Sequence, residues 1–379
     1  MTNYSWDKYK GYHINHNTGY QSQPPTQQQS KIINGIDLLP WDEFLPRETE
    51  SHQTVPPPPQ KTRPKKLTKS EKREIKQIKK INVQRRKELE RNTELGTNGK
   101  ETEVDFKPYL VKQELKNLFN SIILQKKQQL ENNSNKKISP TEDFPILKYN
   151  SVSIYKSDLK NYLPNEWLND GNLSLIFEFL NELFIKSQIQ LSHEIQLIFP
   201  SIVQLIQHFP SNDIENLLPI AELTKSKFIF LPINLIDDDD QQQQDLEVEN
   251  NGDHWILGIL SLIDYKLFIY DSMTLDDDMK TDLKLHKFCK KLESCSLIPS
   301  KQKIKLQYLK CDQQKNFDDC GIFVIMITCY LINELIFGKE LVVDEDGKNL
   351  VSLDISGVRF NPLACRLSIM KLISKSIEY

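Results

Sequence analysis

Long apolar runs are missing: nowhere does the chain approach the roughly 20 consecutive apolar residues that span a bilayer, so no membrane partner is expected. The first twenty residues are polar and give no sign of a cleavable secretion signal, which leads to an intracellular protein, in the nucleus and/or cytoplasm. Cysteine is sparse, and Cys289, Cys295, Cys311, Cys320, Cys329 and Cys365 show neither paired metal-ligand spacing nor a disulfide framework. A reducing compartment and no metal dependence are the expectation. No glycine-rich phosphate loop occurs, so a nucleotide-driven mechanism has no support and no cofactor is expected. There is no internal repeat. At 38% hydrophobic residues, the chain is also too poor in core-forming side chains to be globular throughout.

The charge is nearly balanced, at a formal net of -3, but unevenly spread. Lys61 to Arg91 is crowded with Lys and Arg, and Thr68 with Glu71 has the spacing of a capping box. That run reads as a solvated charged stretch, a nuclear-import signal, or a basic arm for an acidic partner or nucleic acid; nucleic acid is not the expected partner. The opposite pole is Asp237 to Asp253, with four aspartates followed by four glutamines, read as a solvated insertion, with a lid over the site as its alternative. Residues 1–104, rich in Gln, Asn and Pro and including Pro56-Pro57-Pro58-Pro59, are expected to be a disordered polar tail containing the basic segment 61–91. Within 105–145, Leu110, Leu115, Leu118, Phe119 and Ile122 recur at near-helical spacing and predict a helical extension that packs on the folded part, 146–379.

What the sequence does have is a cysteine at the mouth of a buried helix. Gln314-Lys315-Asn316-Phe317-Asp318-Asp319-Cys320-Gly321 runs directly into the apolar stretch Ile322 to Ile332. A thiol at a helix start faces the first-turn N–H groups and the positive end of the dipole, which favour the nucleophilic thiolate. A lone cysteine there is more often a core residue, so the surroundings must decide.

Upstream, Asp253-His254-Trp255-Ile256-Leu257-Gly258-Ile259-Leu260 and Lys266-Leu267-Phe268-Ile269-Tyr270-Asp271-Ser272 are two apolar runs of strand length around a short connection, a hairpin signal. Closure near Leu262 and Ile263 would set His254 opposite Asp271, with Cβ atoms about 4.5 to 5.5 Å apart. The carboxylate would then fix the imidazole tautomer and stabilise its cation while the other ring nitrogen faces the thiol. Gln314 could offer its side-chain amide, beside the Cys320 backbone N–H, to a developing oxyanion, with Gln313 as a rival donor. Singly, each residue has an ordinary alternative: a satisfied strand histidine, a strand-end aspartate, a loop amide. Together, His254, Asp271, Cys320 and Gln314 form the catalytic constellation of a cysteine hydrolase.

These residues resemble the Ulp/SENP cysteine proteases, which process and remove ubiquitin-like modifiers. His254-Trp255, Tyr270-Asp271-Ser272 and Gln314 to Cys320-Gly321 carry the resemblance, together with Trp167-Leu168-Asn169-Asp170, and it covers about Val152 to Lys375. It implies an α+β, papain-like fold of the Ulp/SENP type for 146–379: a mixed central sheet with flanking helices and the nucleophile at a helix N-terminus. It further implies that Trp167 and Trp255 form a narrow tunnel and that Asp170 contacts the modifier near its tail. Two indoles can sandwich a backbone strip without side chains, which selects a diglycine tail; core packing is the alternative for each indole.

Phe199 to Ile206 and Phe228 to Asn234 are most similar to the deneddylase branch, implying as partners the cullin modifier and conjugates such as cullins. A SUMO-specific protease is the alternative, sharing every catalytic feature. An acyltransferase on the same scaffold and a non-catalytic modifier-binding protein are the rivals of other classes. One departure stands beside the nucleophile: Asp318 occupies a position where the family often has serine or tyrosine. A carboxylate turned toward Cys320 would oppose thiolate formation, so Asp318 is expected to face solvent.

Overall fold

A computed structural model describes residues 32–33, 36–39, 41, 108–134, 137–187, 193–235, 254–273, 279–337, 342–343, 349–350 and 353–378. The basic segment 61–91, its capping-box pair, the acidic insertion 237–253 and most of the 1–104 tail lie outside these residues. The chain divides into one unit of Met1–Leu45, Pro108–Gln314 and Asp318–Glu378 and a second of Pro46–Lys107, Lys315–Phe317 and Tyr379; His254, Asp271, Gln314 and Cys320 all belong to the first.

In chain order the strands are β1 (Ile32–Ile33), β2 (Pro145–Tyr149), β3 (Val152–Tyr155), β4 (Ile195–Leu197), β5 (Phe228–Leu235), β6 (His254–Ser261), β7 (Lys266–Tyr270), β8 (Lys305–Leu309), β9 (Val342–Val343), β10 (Asn349–Leu350) and β11 (Arg359–Phe360). The helices are α1 (Pro108–Ser134), α2 (Lys156–Lys160), α3 (Asp170–Phe179), α4 (Pro200–His208), α5 (Ile214–Leu217), α6 (Ile220–Leu223), α7 (Met279–Glu293), α8 (Cys320–Phe337) and α9 (Pro362–Glu378). None among the described residues is long and apolar enough to cross a membrane.

The central sheet runs β4-β5-β6-β7-β8, with parallel pairs at both edges and antiparallel pairs inside. β5 and β6 are buried along their whole length and read as continuous apolar runs, as strands covered on both faces do. Side-chain alternation divides them between two cores. Phe228, Phe230, Trp255, Leu257, Ile259, Phe268 and Tyr270 join the core that includes α3, α8 and α9. Ile229, Leu231, Ile233, Ile256, Leu260, Leu267 and Ile269 join the second, with Val203 and Ile206 of α4 and Leu285, Phe288 and Leu292 of α7. The protein is therefore an α+β fold, a mixed sheet between helical layers. α8 is apolar on every side because it is enclosed on every side, by β6, α3, α9 and the turn at Ile36–Leu38.

Two parts lie outside the central sheet and its covering helices, one where a helix was expected and one where no order was. The predicted helical extension is α1, and Leu115 and Ile122 are its buried residues, packed toward α9; Lys371 on α9 pairs with Glu114 at 2.7 Å, while Leu110 stays exposed. The expectation of a disordered tail fails at its one apolar cluster. β1 pairs in parallel with β11, and Ile36, Leu39 and Trp41 are buried in the first core. The Trp41 ring meets Phe184 edge-on at 4.7 Å, and its indole N–H donates to the Ile36 carbonyl at 2.6 Å. Apolar burial outweighs the polar average of the surrounding sequence.

Candidate active site

Cys320 opens α8, 2% exposed, as the spacing predicts, and the helix is committed at once by the Phe323 N–H to the Asp319 carbonyl at 2.9 Å. His254 opens β6 and is 9% exposed. Its Nε2 meets Asp271 Oδ1 at 2.7 Å. Its other nitrogen, Nδ1, is buried with no hydrogen-bond partner among the described residues, and Cys320 is the second group, after Asp271, whose hydrogen bonding and charge favour the protonated ring. Burial alone would push the imidazole toward neutrality. Hydrogen bonding to Asp271 and Cys320, together with their charge interactions with the ring, outweighs it, raising the pKa to about 10. The surroundings of the ring thus favour its protonated form.

The register behind this contact differs from the expected one. β6 and β7 pair Leu257 with Tyr270 and Ser261 with Lys266, around a four-residue connection ending at Tyr265, whose φ is 52°. Continued outward, this pairing puts His254 opposite Met273 rather than Asp271. The difference is two residues, so parity is kept and Asp271 is the diagonal neighbour on the same face, still within reach of an imidazole. Asp271 itself is held in place, since its Oδ1 also accepts from the Met273 N–H at 2.8 Å.

Gln314 lies beside them. Its backbone N–H donates to the Ser272 carbonyl at 2.8 Å, and the Ser272 hydroxyl donates to its Oε1 at 2.7 Å. With the amide oxygen engaged, the NH₂, which lies 3.7 Å from the soft Met273 sulfur, is the end able to donate to a substrate oxygen. Ser272 is thus a positioning group that sequence reasoning quoted but gave no task. The rival Gln313 is turned away, its NH₂ donating to the Asp271 carbonyl at 2.9 Å. The five other cysteines all have pKa values raised by burial, Cys311 and Cys289 to about 12, which suits core residues rather than nucleophiles.

Trp167-Leu168-Asn169-Asp170 forms the neighbouring loop and the start of α3. Asn169 caps the helix, accepting from the Asn172 N–H at 2.9 Å while Asn172 Oδ1 accepts from the Asn169 N–H at 3.0 Å, a reciprocal capping box built from two asparagines. Asp170 sits half-buried in the first turn, where the helix dipole favours its charge. Trp255 is 6% exposed, and its indole N–H donates to the Leu168 carbonyl at 3.0 Å, which ties the loop to β6. Trp167 is half-buried and donates to Asp318 Oδ1 at 2.8 Å. Asp318 therefore does not simply face solvent as expected; its carboxylate accepts the indole N–H and is directed by it. Sequence reasoning also missed Arg366, whose guanidinium reaches Asp319 across 47 positions and carries no local signal of that contact.

Residues 166–352 match the Ulp1 protease family, C-terminal catalytic domain. This segment is a Ulp1-family cysteine protease domain. The chain is 30% identical over 192 residues to the "NEDD8-specific protease 2" of Schizosaccharomyces pombe, a match covering 50% of this chain and 42% of that protein, so it spans less than half of that relative's length. It is 29% identical over 209 residues to the "Probable sentrin-specific protease 8" of Dictyostelium discoideum, covering 54% of this chain and 79% of that protein. Among solved structures it is similar to the C-terminal Ulp1 protease domain in complex with Smt3, the yeast ortholog of SUMO, at 18% identity and a TM-score of 0.45, covering 74% of this chain and 99% of that one. In this Ulp1-family domain, His254, Asp271, Gln314 and Cys320 are brought to one place by β6, the end of β7, the loop before α8 and α8 itself.

Proposed function

We propose that the protein is a thiol isopeptidase that cleaves after the C-terminal diglycine of a ubiquitin-like modifier, with the NEDD8-type modifier and its conjugates as substrate. The observation that carries the chemistry is His254 held between Asp271 and Cys320. Cys320 sulfur attacks the carbonyl carbon of the terminal glycine, and the Gln314 amide and the Cys320 backbone N–H donate to the oxyanion. As the C–N bond breaks, the His254 cation gives its proton to the leaving lysine amine. His254, now neutral, takes a proton from water, whose oxygen attacks the thioester; as the C–S bond breaks the carboxylic acid departs and gives its proton to solvent or to the released amine, while the thiolate and the imidazole cation are restored. Trp167 and Trp255 wall the approach of the tail, and Asp170 meets the modifier beside it. The modifier assignment is supported by relatives bearing NEDD8-specific and sentrin-specific protease names.

The test is a panel of ubiquitin, SUMO and NEDD8, each carrying a thiol-reactive group at its C-terminus, mixed with the protein and with Cys320→Ala. A Cys320-dependent adduct with NEDD8 is expected. An adduct with SUMO alone would replace the modifier assignment, and none with any modifier would reject the isopeptidase reading.

A further inference from the structure

Arg366 on α9 is 1% exposed, and a buried guanidinium must find an acceptor for each N–H. Nη1 donates to the Asn161 and Leu163 carbonyls, both at 2.9 Å, and Nη2 to the Glu166 carbonyl at 3.0 Å. These three belong to the segment that leads into Trp167. Nη2 also donates to the Asp318 carbonyl at 2.9 Å and to Asp319 Oδ1 at 2.7 Å, and Nε donates to the same Oδ1 at 3.0 Å. Asp318 and Asp319 lead into Cys320. Six contacts draw on five N–H groups, so one hydrogen is shared and none is idle.

We infer that Arg366 is a positioning residue for the reaction proposed above, fixing the Trp167 wall relative to the Cys320 nucleophile. It grips the residue before Trp167 and the residue before Cys320 with one rigid plane. The same two segments are joined a second time by the Trp167 indole on the Asp318 carboxylate, and a third time where Gly321 lets Leu168 approach α8. A substrate tail lying along Trp167 is thereby presented to sulfur at a set distance. Lysine cannot substitute, because a compact ammonium with three donors cannot span acceptors on both segments. The inference rests on the isopeptidase reading, and Asp318, the departure beside the nucleophile, gains a task from it.

The experiment compares the full chain with Arg366→Lys, Asp318→Ala and Asp318→Asn. It uses the modifier accepted by the wild-type protein, as a fluorogenic C-terminal substrate, together with Cys320 alkylation by iodoacetamide and thermal melting. Misplacing reacting groups by about 1 Å costs on the order of 100-fold in rate, so folded Arg366→Lys should lose about that much kcat with little change in KM. Alkylation, which needs no tail alignment, should stay near the wild-type rate. Asp318→Ala should show the same split in weaker form and Asp318→Asn, which keeps the acceptor oxygen, should restore kcat. Parallel loss of turnover and alkylation in Arg366→Lys would overturn the inference, as would unchanged turnover. If that variant does not fold, the Asp318 pair decides: wild-type kcat in Asp318→Ala rejects the inference. A wild-type protein inert toward every modifier would reject the isopeptidase reading itself, whereas an active wild type with no split rejects only this inference.

Discussion

A histidine only 9% exposed and bonded at 2.7 Å to a carboxylate 8% exposed is an electrostatic arrangement before it is a catalytic one. Burial penalises the cation, and Asp271 and Cys320 more than offset that penalty, which raises the His254 pKa to about 10. Asp271→Asn keeps the shape and removes the charge. The cation then loses its main support while burial remains, so the pKa must fall and the proton is lost at lower pH. The basic limb of the kcat/KM profile should move downward by more than about one unit, with kcat at neutral pH falling on the order of 10²- to 10⁴-fold. Imidazole NMR titration checks the cause directly: a wild-type His254 titrating near the unperturbed value of about 6.5 would disprove the ion pair. At this scale the placement of Cys320 at the start of α8 and of His254 beside Asp271 was legible, because the roles proposed for them and for Gln314 call for distinct residue types at strand ends and a helix mouth. Ser272 and Arg366 were not. A hydroxyl orienting an amide, or a guanidinium collecting carbonyls from two loops, depends on tertiary placement that no spacing announces.

Between elements, the decisive contact is the one between α8 and the loop before α3. A Cβ on Gly321 would stand 2.9 Å from Leu168 Cβ and 3.3 Å from its Cγ and Cδ1. Leu168 has little room to retreat, since its carbonyl accepts from Trp255 and the next residue caps α3. Gly321→Ala should therefore cost about 1–3 kcal/mol of stability in urea unfolding, and by pushing the Trp167 loop off α8 it should also slow labelling by the modifier probe. Gly171→Ala serves as the control. In the first turn of α3 its Cβ would meet nothing nearer than Asn169 Oδ1 at 3.4 Å, and the change should be neutral or stabilising by up to about 1 kcal/mol. Equal losses in both variants would show that the close approach of Leu168 is not the cause. The apolar runs announced α8, β6 and β7 because their periodicity is local. The hairpin register was misplaced by two residues because it depends on a connection four residues long with Tyr265 in the left-handed region, a conformation that a non-glycine residue does not advertise.

For the whole molecule, the family match at 166–352 leaves out elements that the fold uses. α9 supplies Arg366, α1 packs on α9, and the Ile32–Trp41 stretch lays β1 beside β11, whose Phe360 meets Phe323 and Tyr330 of α8 edge-on at 6.2 and 6.3 Å. Composition concealed this last stretch. Averaged over a tail rich in Gln, Asn and Pro, Ile32, Ile33, Ile36, Leu38, Leu39 and Trp41 disappear, although six large apolar residues within ten positions suffice to seed a docked segment. If the stretch is part of the domain, its loss must register in global unfolding and not only locally. Trp41 is 9% exposed and contacts Phe184 and Phe179, with ring centroids at 4.7 and 6.3 Å. Trp41→Ala in the full chain should therefore cost about 3 kcal/mol, seen as a lower urea midpoint at unchanged slope. Because Trp41 touches none of His254, Asp271, Gln314 and Cys320, the folded fraction should keep its rate of modifier-probe labelling in the absence of urea. A midpoint within about 0.5 kcal/mol of wild type, the range of an ordinary surface substitution, would mean that the segment does not dock and that the folded domain begins at α1.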